Sequence, residues 1–158
     1  MSMSQMIFGL QFLMNLLVYG LIARWYVAPR LAPRPLAAAL TPLLLLHATR
    51  HLGMVFLVPS VAGAALPRQF AAPAAYGDLL AALLALLAIV ALRSRWTMAL
   101  ALVWLFNVVG TLDLINALLQ GIRLHVELGA AYYIPTVAVP ALIVTHVMIF
   151  AMLVTGRR

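Results

Sequence analysis

Residues 36–58 read LAAALTPLLLLHATRHLGMVFLV, an apolar run interrupted by one arginine and two histidines. A helix needs about 20 predominantly apolar residues to cross the hydrocarbon core of a bilayer, and this run is long enough. Ionisable side chains are costly inside a membrane, so they face the bundle interior and pair with other polar groups. The run therefore predicts a transmembrane helix that belongs to a bundle with a polar interior site.

The rest of the chain has the same character, since 66% of its 158 residues are hydrophobic and 8% are charged. Four further stretches qualify as spans, at about 6–27, 77–92, 97–119 and 131–154. We therefore predict an all-α fold, a polytopic transmembrane helix bundle of about five spans that forms a single domain over residues 1–158. The third stretch is short unless it begins within residues 71–76. The proline-containing segment before it, 59–76, is expected to lie in the interface or to dip into the bundle as a lid.

The distribution of arginine predicts the orientation, because all ten basic residues are arginine. Seven flank the first and third loops or end the chain at Arg157 and Arg158, whereas Arg68 and Arg123 lie in the second and fourth loops. Since cytoplasmic loops are enriched in basic residues, we predict an outside N-terminus and a cytoplasmic C-terminus in the cell inner membrane. Arginines at helix ends differ from the basic stripe that binds nucleic acid, so the predicted partner is the lipid bilayer and not nucleic acid.

Polar residues recur at helical spacing within the spans. His47, Arg50, His51 and Met54 follow the spacing i, i+3, i+4, i+7, which places them on one face of an α-helix. Polar stripes also occur in the first and fourth spans, and the fifth span contains a histidine; these residues are Gln11, Asn15, Tyr19, Asn107, Asp113, Asn116, Gln120 and His146. At about 1.5 Å per residue, most of these groups lie at matching depths. We therefore expect an intramembrane polar site, with Asn107 on a different face of the fourth span from Asp113.

Arg50 and Asp113 are the oppositely charged residues predicted at the same depth, so we expect them to form an ion pair. Each charge alone would be costly inside the bilayer. The pair either stabilises the bundle or serves function, as a gate, a proton-coupled pair or an anion-binding arginine.

Two further expectations concern the ends and kinks of helices. Asp78 follows Gly77 at the predicted start of the third span, so we expect it to cap that helix or to lie in its first turn. Pro135 and Pro140 have no N–H, so the carbonyls four residues earlier, on Ala131 and Thr136, are expected to lose their helical partners.

The histidines also suggest a metal site. His47 and His51 at i, i+4 can place two imidazoles on one metal, and His146 with Met54 would complete a set suited to copper or to the iron of haem b. No glutamate lies between them as in the H-E-x-x-H motif. The alternative for each histidine is a hydrogen bond to another polar side chain.

A series of motifs extends through most of the chain from His47 onward. These are His47-Ala-Thr-Arg50-His51-Leu-Gly53, Leu66-Pro67, Phe70-Ala71-Ala72-Pro73, Gly77-Asp78, Asn107-Val-Val-Gly110-Thr-Leu-Asp113-Leu114, Pro135, Pro140 and His146. Together they resemble a family of small bacterial inner-membrane proteins of unknown function. Gly77-Asp78-Leu79 is also faintly similar to four-helix DoxX-like proteins, although the fifth predicted span departs from that pattern. The resemblance implies a polytopic membrane protein without a named activity.

Several classes of function remain open. The polar site could bind or translocate a small molecule, an ion or a proton, and a transporter of five spans would be expected to form a homo-oligomer. A haem or copper redox protein is the second class. The third is an enzyme that acts on a lipophilic substrate, with His47, His51 or Asp113 as acid and base and Arg50 holding an anionic group. A structural or accessory subunit is the remaining alternative.

Overall fold

The structure is a computed structural model that describes residues 2–156. Within that range, five helices are long and apolar enough to cross a membrane: α1 (Met3–Leu31), α2 (Leu36–Leu57), α3 (Arg68–Arg93), α4 (Ala99–Arg123) and α5 (Ala130–Thr155). The predicted all-α bundle of about five spans is confirmed. Arg157 and Arg158 lie outside the described residues, and the orientation in the membrane stays a prediction.

α3 is longer than the sequence predicted, because it begins at Arg68 and not at Gly77. Pro67 precedes the first turn of α3, and Pro73 lies inside the helix. These prolines had led to the prediction of a loop. Phe70 packs edge-on against Phe56 of α2, with ring centroids 5.7 Å apart, in a buried cluster at this end of the bundle. This packing offsets the hydrogen bond that Pro73 cannot make. Residues 68–76 of the segment 59–76 therefore belong to α3. Before them, a short helical turn at Pro59–Ala62 leads through residues 63–67 into α3, and an interfacial or lid position of residues 59–67 stays a prediction.

α3 is the most buried of the five spans and packs against α2 and α4. Its buried face consists mainly of alanine: Ala71, Ala74, Ala75, Ala81, Ala82, Ala85, Ala88 and Ala91. Small residues let neighbouring helices approach closely in a membrane, where dispersion contacts replace the hydrophobic driving force. The close approach brings short polar side chains of α3 and α4 within reach of α2.

α2 changes its pitch within the membrane-spanning part. It is α-helical over Leu36–Ala48 and continues as a 3₁₀ helix over Thr49–Leu57. With three residues per turn, Arg50, Gly53 and Phe56 share one face, and these are the buried residues of the segment. The α-helical spacing that predicted a shared face for Arg50, His51 and Met54 therefore does not hold beyond Thr49.

α1 lies at the edge of the bundle and packs mainly against α5. The Asn15 amide donates to the carbonyl of Thr136 at 2.9 Å, and Tyr132 donates to Gln11 at 2.7 Å. Because Pro140 cannot donate to the Thr136 carbonyl, Asn15 supplies the missing hydrogen bond. This confirms the expectation that the proline frees that carbonyl. The polar stripe of α1 thus serves mainly the contact with α5.

Candidate functional site

The site is centred on Arg50, whose side chain is fully buried between helices. Its Nε donates to Oδ1 of Asp78 on α3 at 2.8 Å, and its Nη2 donates to Oδ2 of Asp113 on α4 at 2.5 Å. Its Nη1 donates to the carbonyl of Gly110 at 3.0 Å. The planar guanidinium therefore connects three helices through charge-assisted hydrogen bonds, for which its fixed donor geometry is well suited.

The Arg50–Asp113 ion pair predicted from the sequence is confirmed, but the expectation for Asp78 is wrong. Asp78 lies well inside α3 and not at its N-terminus, because the helix begins at Arg68. The sequence contained one signal that could have corrected this. An acid placed inside a span calls for a basic partner, and Arg50 is the arginine inside a predicted span.

Three glycines allow the charged groups to approach so closely. A Cβ atom on Gly77 would overlap the Asp113 carboxylate, and one on Gly53 would overlap the Asp78 carboxylate. On Gly110 a Cβ atom would lie 3.0 Å from Nη1 of Arg50 and 2.9 Å from Cε1 of His146. Each charged group thus lies against the bare backbone of a neighbouring helix. This explains the chemical need for glycine in the motifs around these positions.

His146 connects the ion pairs to a buried asparagine. The Asn107 amide nitrogen donates to the His146 carbonyl at 3.2 Å, so its oxygen accepts from Nδ1 of His146 at 2.7 Å. Nε2 of His146 then carries the lone pair that faces Nη1 of Arg50 at 3.4 Å. Since arginine can only donate, the hydrogen bonds select the neutral Nδ1–H tautomer of His146.

His47 packs beside His146, with ring centroids 4.1 Å apart, and is completely buried. Its Nε2 lies 3.0 Å from the hydroxyl of Thr145. Its Nδ1 has no hydrogen-bond partner among residues 2–156. Thr145, which precedes His146 on α5, thereby joins the site.

Other residues predicted for the site lie elsewhere. His51 is exposed and its Nδ1 lies 2.9 Å from the Ala48 carbonyl, because the 3₁₀ segment turns it away from Arg50. Met54 packs in the cluster around Phe56 and Phe70. Asn116 is exposed and accepts from Gln120. Of the set proposed for copper or haem, His47 and His146 are therefore brought together, whereas His51 and Met54 are not. The described residues contain no group of three His, Cys, Asp or Glu side chains arranged for a metal ion.

A cavity of about 440 Å³ adjoins the ion pairs. Apolar side chains of α1, α2 and α5 form most of its wall, and its polar wall residues are Tyr19, Thr49, Arg50, Asp78 and Thr145. Tyr19, the remaining residue of the polar stripe on α1, therefore contributes to the wall of this cavity. An apolar cavity with a few convergent polar groups, set between the helices of a bundle, is the usual form of a small-molecule site.

The hydrogen bonds of Asn107 give a direct prediction. Asn107→Leu keeps the number of side-chain heavy atoms but leaves Nδ1–H of the buried His146 without an acceptor, so we expect a loss of about 1–3 kcal/mol in the free energy of unfolding. Asn116→Leu on the same helix is the matched control, and its exposed position predicts no loss. Thermal unfolding in mild detergent measures both. Equal stability of the two variants would show that the Asn107–His146 contact contributes nothing.

Comparison with known proteins yields a family and no activity. The model of a family described as a domain of unknown function, DUF8737, matches residues 7–154. Neither the curated proteins nor the solved structures gave a match. The family match agrees with the resemblance to a family of unknown function.

Proposed function

The chain belongs to the DUF8737 family, and we propose that it binds a small amphiphilic molecule inside the bilayer, in the cavity beside Arg50. The apolar part of the ligand would contact the side chains of α1, α2 and α5. Its polar end would contact Asp78, Arg50 and Thr145. The observation that carries this proposal is the presence of both Arg50 and Asp78 in the wall of an otherwise apolar cavity.

A purely structural role would explain the ion pairs but not the cavity. The cavity is half open, so a molecule can enter it from outside the bundle. Asp78 and Asp113 are also not fully enclosed, with 13% and 15% of their side-chain surfaces exposed. A ligand in the cavity would fill the space and reach the Asp78 carboxylate.

Filling the cavity tests the proposal. Ala141 of α5 lies in the cavity wall, and Ala141→Phe is expected to abolish binding of the neutral probe 4-phenylbutanol by occupying its space. Ala151→Phe makes the same change at an exposed position of the same helix and is expected to bind as the native protein does. Isothermal titration calorimetry in mild detergent compares the three proteins. Equal heats from all three would mean that the probe only partitions into detergent, which would contradict the proposal.

Further features from the sequence remain expectations of this proposal. They are the cell inner membrane as the location, a bacterial origin, translocation of the bound molecule and a homo-oligomeric state. The DoxX-like similarity likewise stays a prediction.

A further inference from the structure

The site contains more acidic than basic groups. Two carboxylates, Asp78 and Asp113, contact one guanidinium. If both are ionised, the three groups sum to one negative charge within the span. On insertion scales, a charged residue at the centre of a transmembrane helix costs about 2.5–3.5 kcal/mol. The site therefore requires one further positive charge, which a proton can supply when the cavity is empty.

The neighbouring titratable groups leave the carboxylates as the place for that proton. On α5, the His146 ring donates through Nδ1 to Asn107 and faces Arg50 with Nε2, so a second proton on it would meet a cation. On α2, His47 is stacked on His146 and buried near Arg50. Tyr19 of α1 lines the cavity and is neutral unless it loses a proton. A carboxyl group becomes neutral when it takes the proton, and its carbonyl oxygen can still accept a hydrogen bond from Arg50.

The two carboxylates differ in their access to the cavity. Asp78 forms part of the cavity wall, while Asp113 lies against the backbone of Gly77. Oδ1 of Asp78 is held by Nε of Arg50. A ligand in the cavity would therefore pair with Asp78.

We propose that the cavity takes an amphiphilic ammonium ion, which pairs with Asp78 in exchange for one proton from the Asp78–Arg50–Asp113 group. This inference rests on the proposed function and names the chemical class of its ligand. In the empty state, Arg50, one carboxylate and one carboxylic acid sum to zero. In the bound state, Arg50, two carboxylates and the ammonium again sum to zero, and the displaced proton leaves to solvent. No covalent bond other than the O–H bond is broken.

Three probes that differ in their polar end test the exchange: 4-phenylbutylammonium, 4-phenylbutanol and 4-phenylbutyrate. We expect the ammonium to bind about tenfold more tightly than the alcohol, and the carboxylate to bind most weakly, because opposite charges attract strongly at low dielectric. Titration calorimetry near neutral pH, in two buffers with different ionisation enthalpies, counts the protons. We expect about one proton released per ammonium bound and none for the alcohol.

Replacing either aspartate removes the excess negative charge of the site. Asp78→Asn and Asp113→Asn are each expected to lose the preference for the ammonium over the alcohol and to release no proton. Glu127→Gln, at an exposed acid outside the site, is the matched control and should retain both properties. Failure of the native protein to bind the alcohol would overturn the proposed function. Alcohol binding without ammonium preference, or ammonium binding without proton release, would overturn this inference alone.

Discussion

Arg50→Leu is expected to lower the stability more than any other single change in the site. The substitution leaves Asp78 and Asp113 facing each other without their shared cation and leaves the Gly110 carbonyl without its additional donor. Removing one partner of a buried ion pair costs about 3–5 kcal/mol, because the remaining charge is left uncompensated. Thermal unfolding in mild detergent, followed by circular dichroism, measures the loss. Arg68→Leu, at the exposed first residue of α3, is the control and should change the stability by less than about 0.5 kcal/mol.

A triple variant separates structure from binding. Arg50→Leu combined with Asp78→Asn and Asp113→Asn removes all three charges, and we expect it to regain most of the lost stability. If it folds well but no longer prefers 4-phenylbutylammonium over 4-phenylbutanol, the charges serve binding in addition to stability. If Arg50→Leu alone is as stable as Arg68→Leu, the ion pairs do not stabilise the bundle.

Gly77→Ala is expected to destabilise the protein, although alanine is the better helix former. The added methyl group would occupy the position of the Asp113 carboxylate. Either that carboxylate moves away from Arg50 or α3 and α4 separate, and overpacking of this kind costs about 1–3 kcal/mol. Gly20→Ala on α1 is the matched control, since nothing lies within 4 Å of its added methyl group. Helix propensity predicts that this control gains up to about 1 kcal/mol.

The sign of the effect makes this a sharp test. The same chemical change should lower the unfolding temperature at Gly77 and raise it or leave it unchanged at Gly20. A gain at both positions would show that Asp113 can leave its place without cost. The close contact between α3 and α4 would then not be needed to hold the ion pair.

The spans and one ion pair could be predicted from the amino-acid sequence. Residues 36–58 and the other apolar runs predict helices because a lipid environment requires every backbone polar group to be satisfied within the segment. The Arg50–Asp113 pair could be predicted because few charged residues lie within the spans and a charge there needs an oppositely charged partner. Pro140 likewise identified a free carbonyl on Thr136, although not that Asn15 would bind it.

The remaining part of the site was decided by packing between helices. Asp78 lies within the membrane-spanning part because the contact of Phe70 with Phe56 favours helix through Pro73. His51 points away because α2 becomes a 3₁₀ helix at Thr49. Nothing in the local sequence outweighs the prolines, which predicted a loop before Gly77. Nothing in it outweighs the α-helical spacing either, which placed His51 on the same face as Arg50. The sequence by itself determined that Arg50 is buried in a membrane bundle. The tertiary structure decided that two carboxylates share it, because only packed helices bring Asp78 and Asp113 to the same guanidinium.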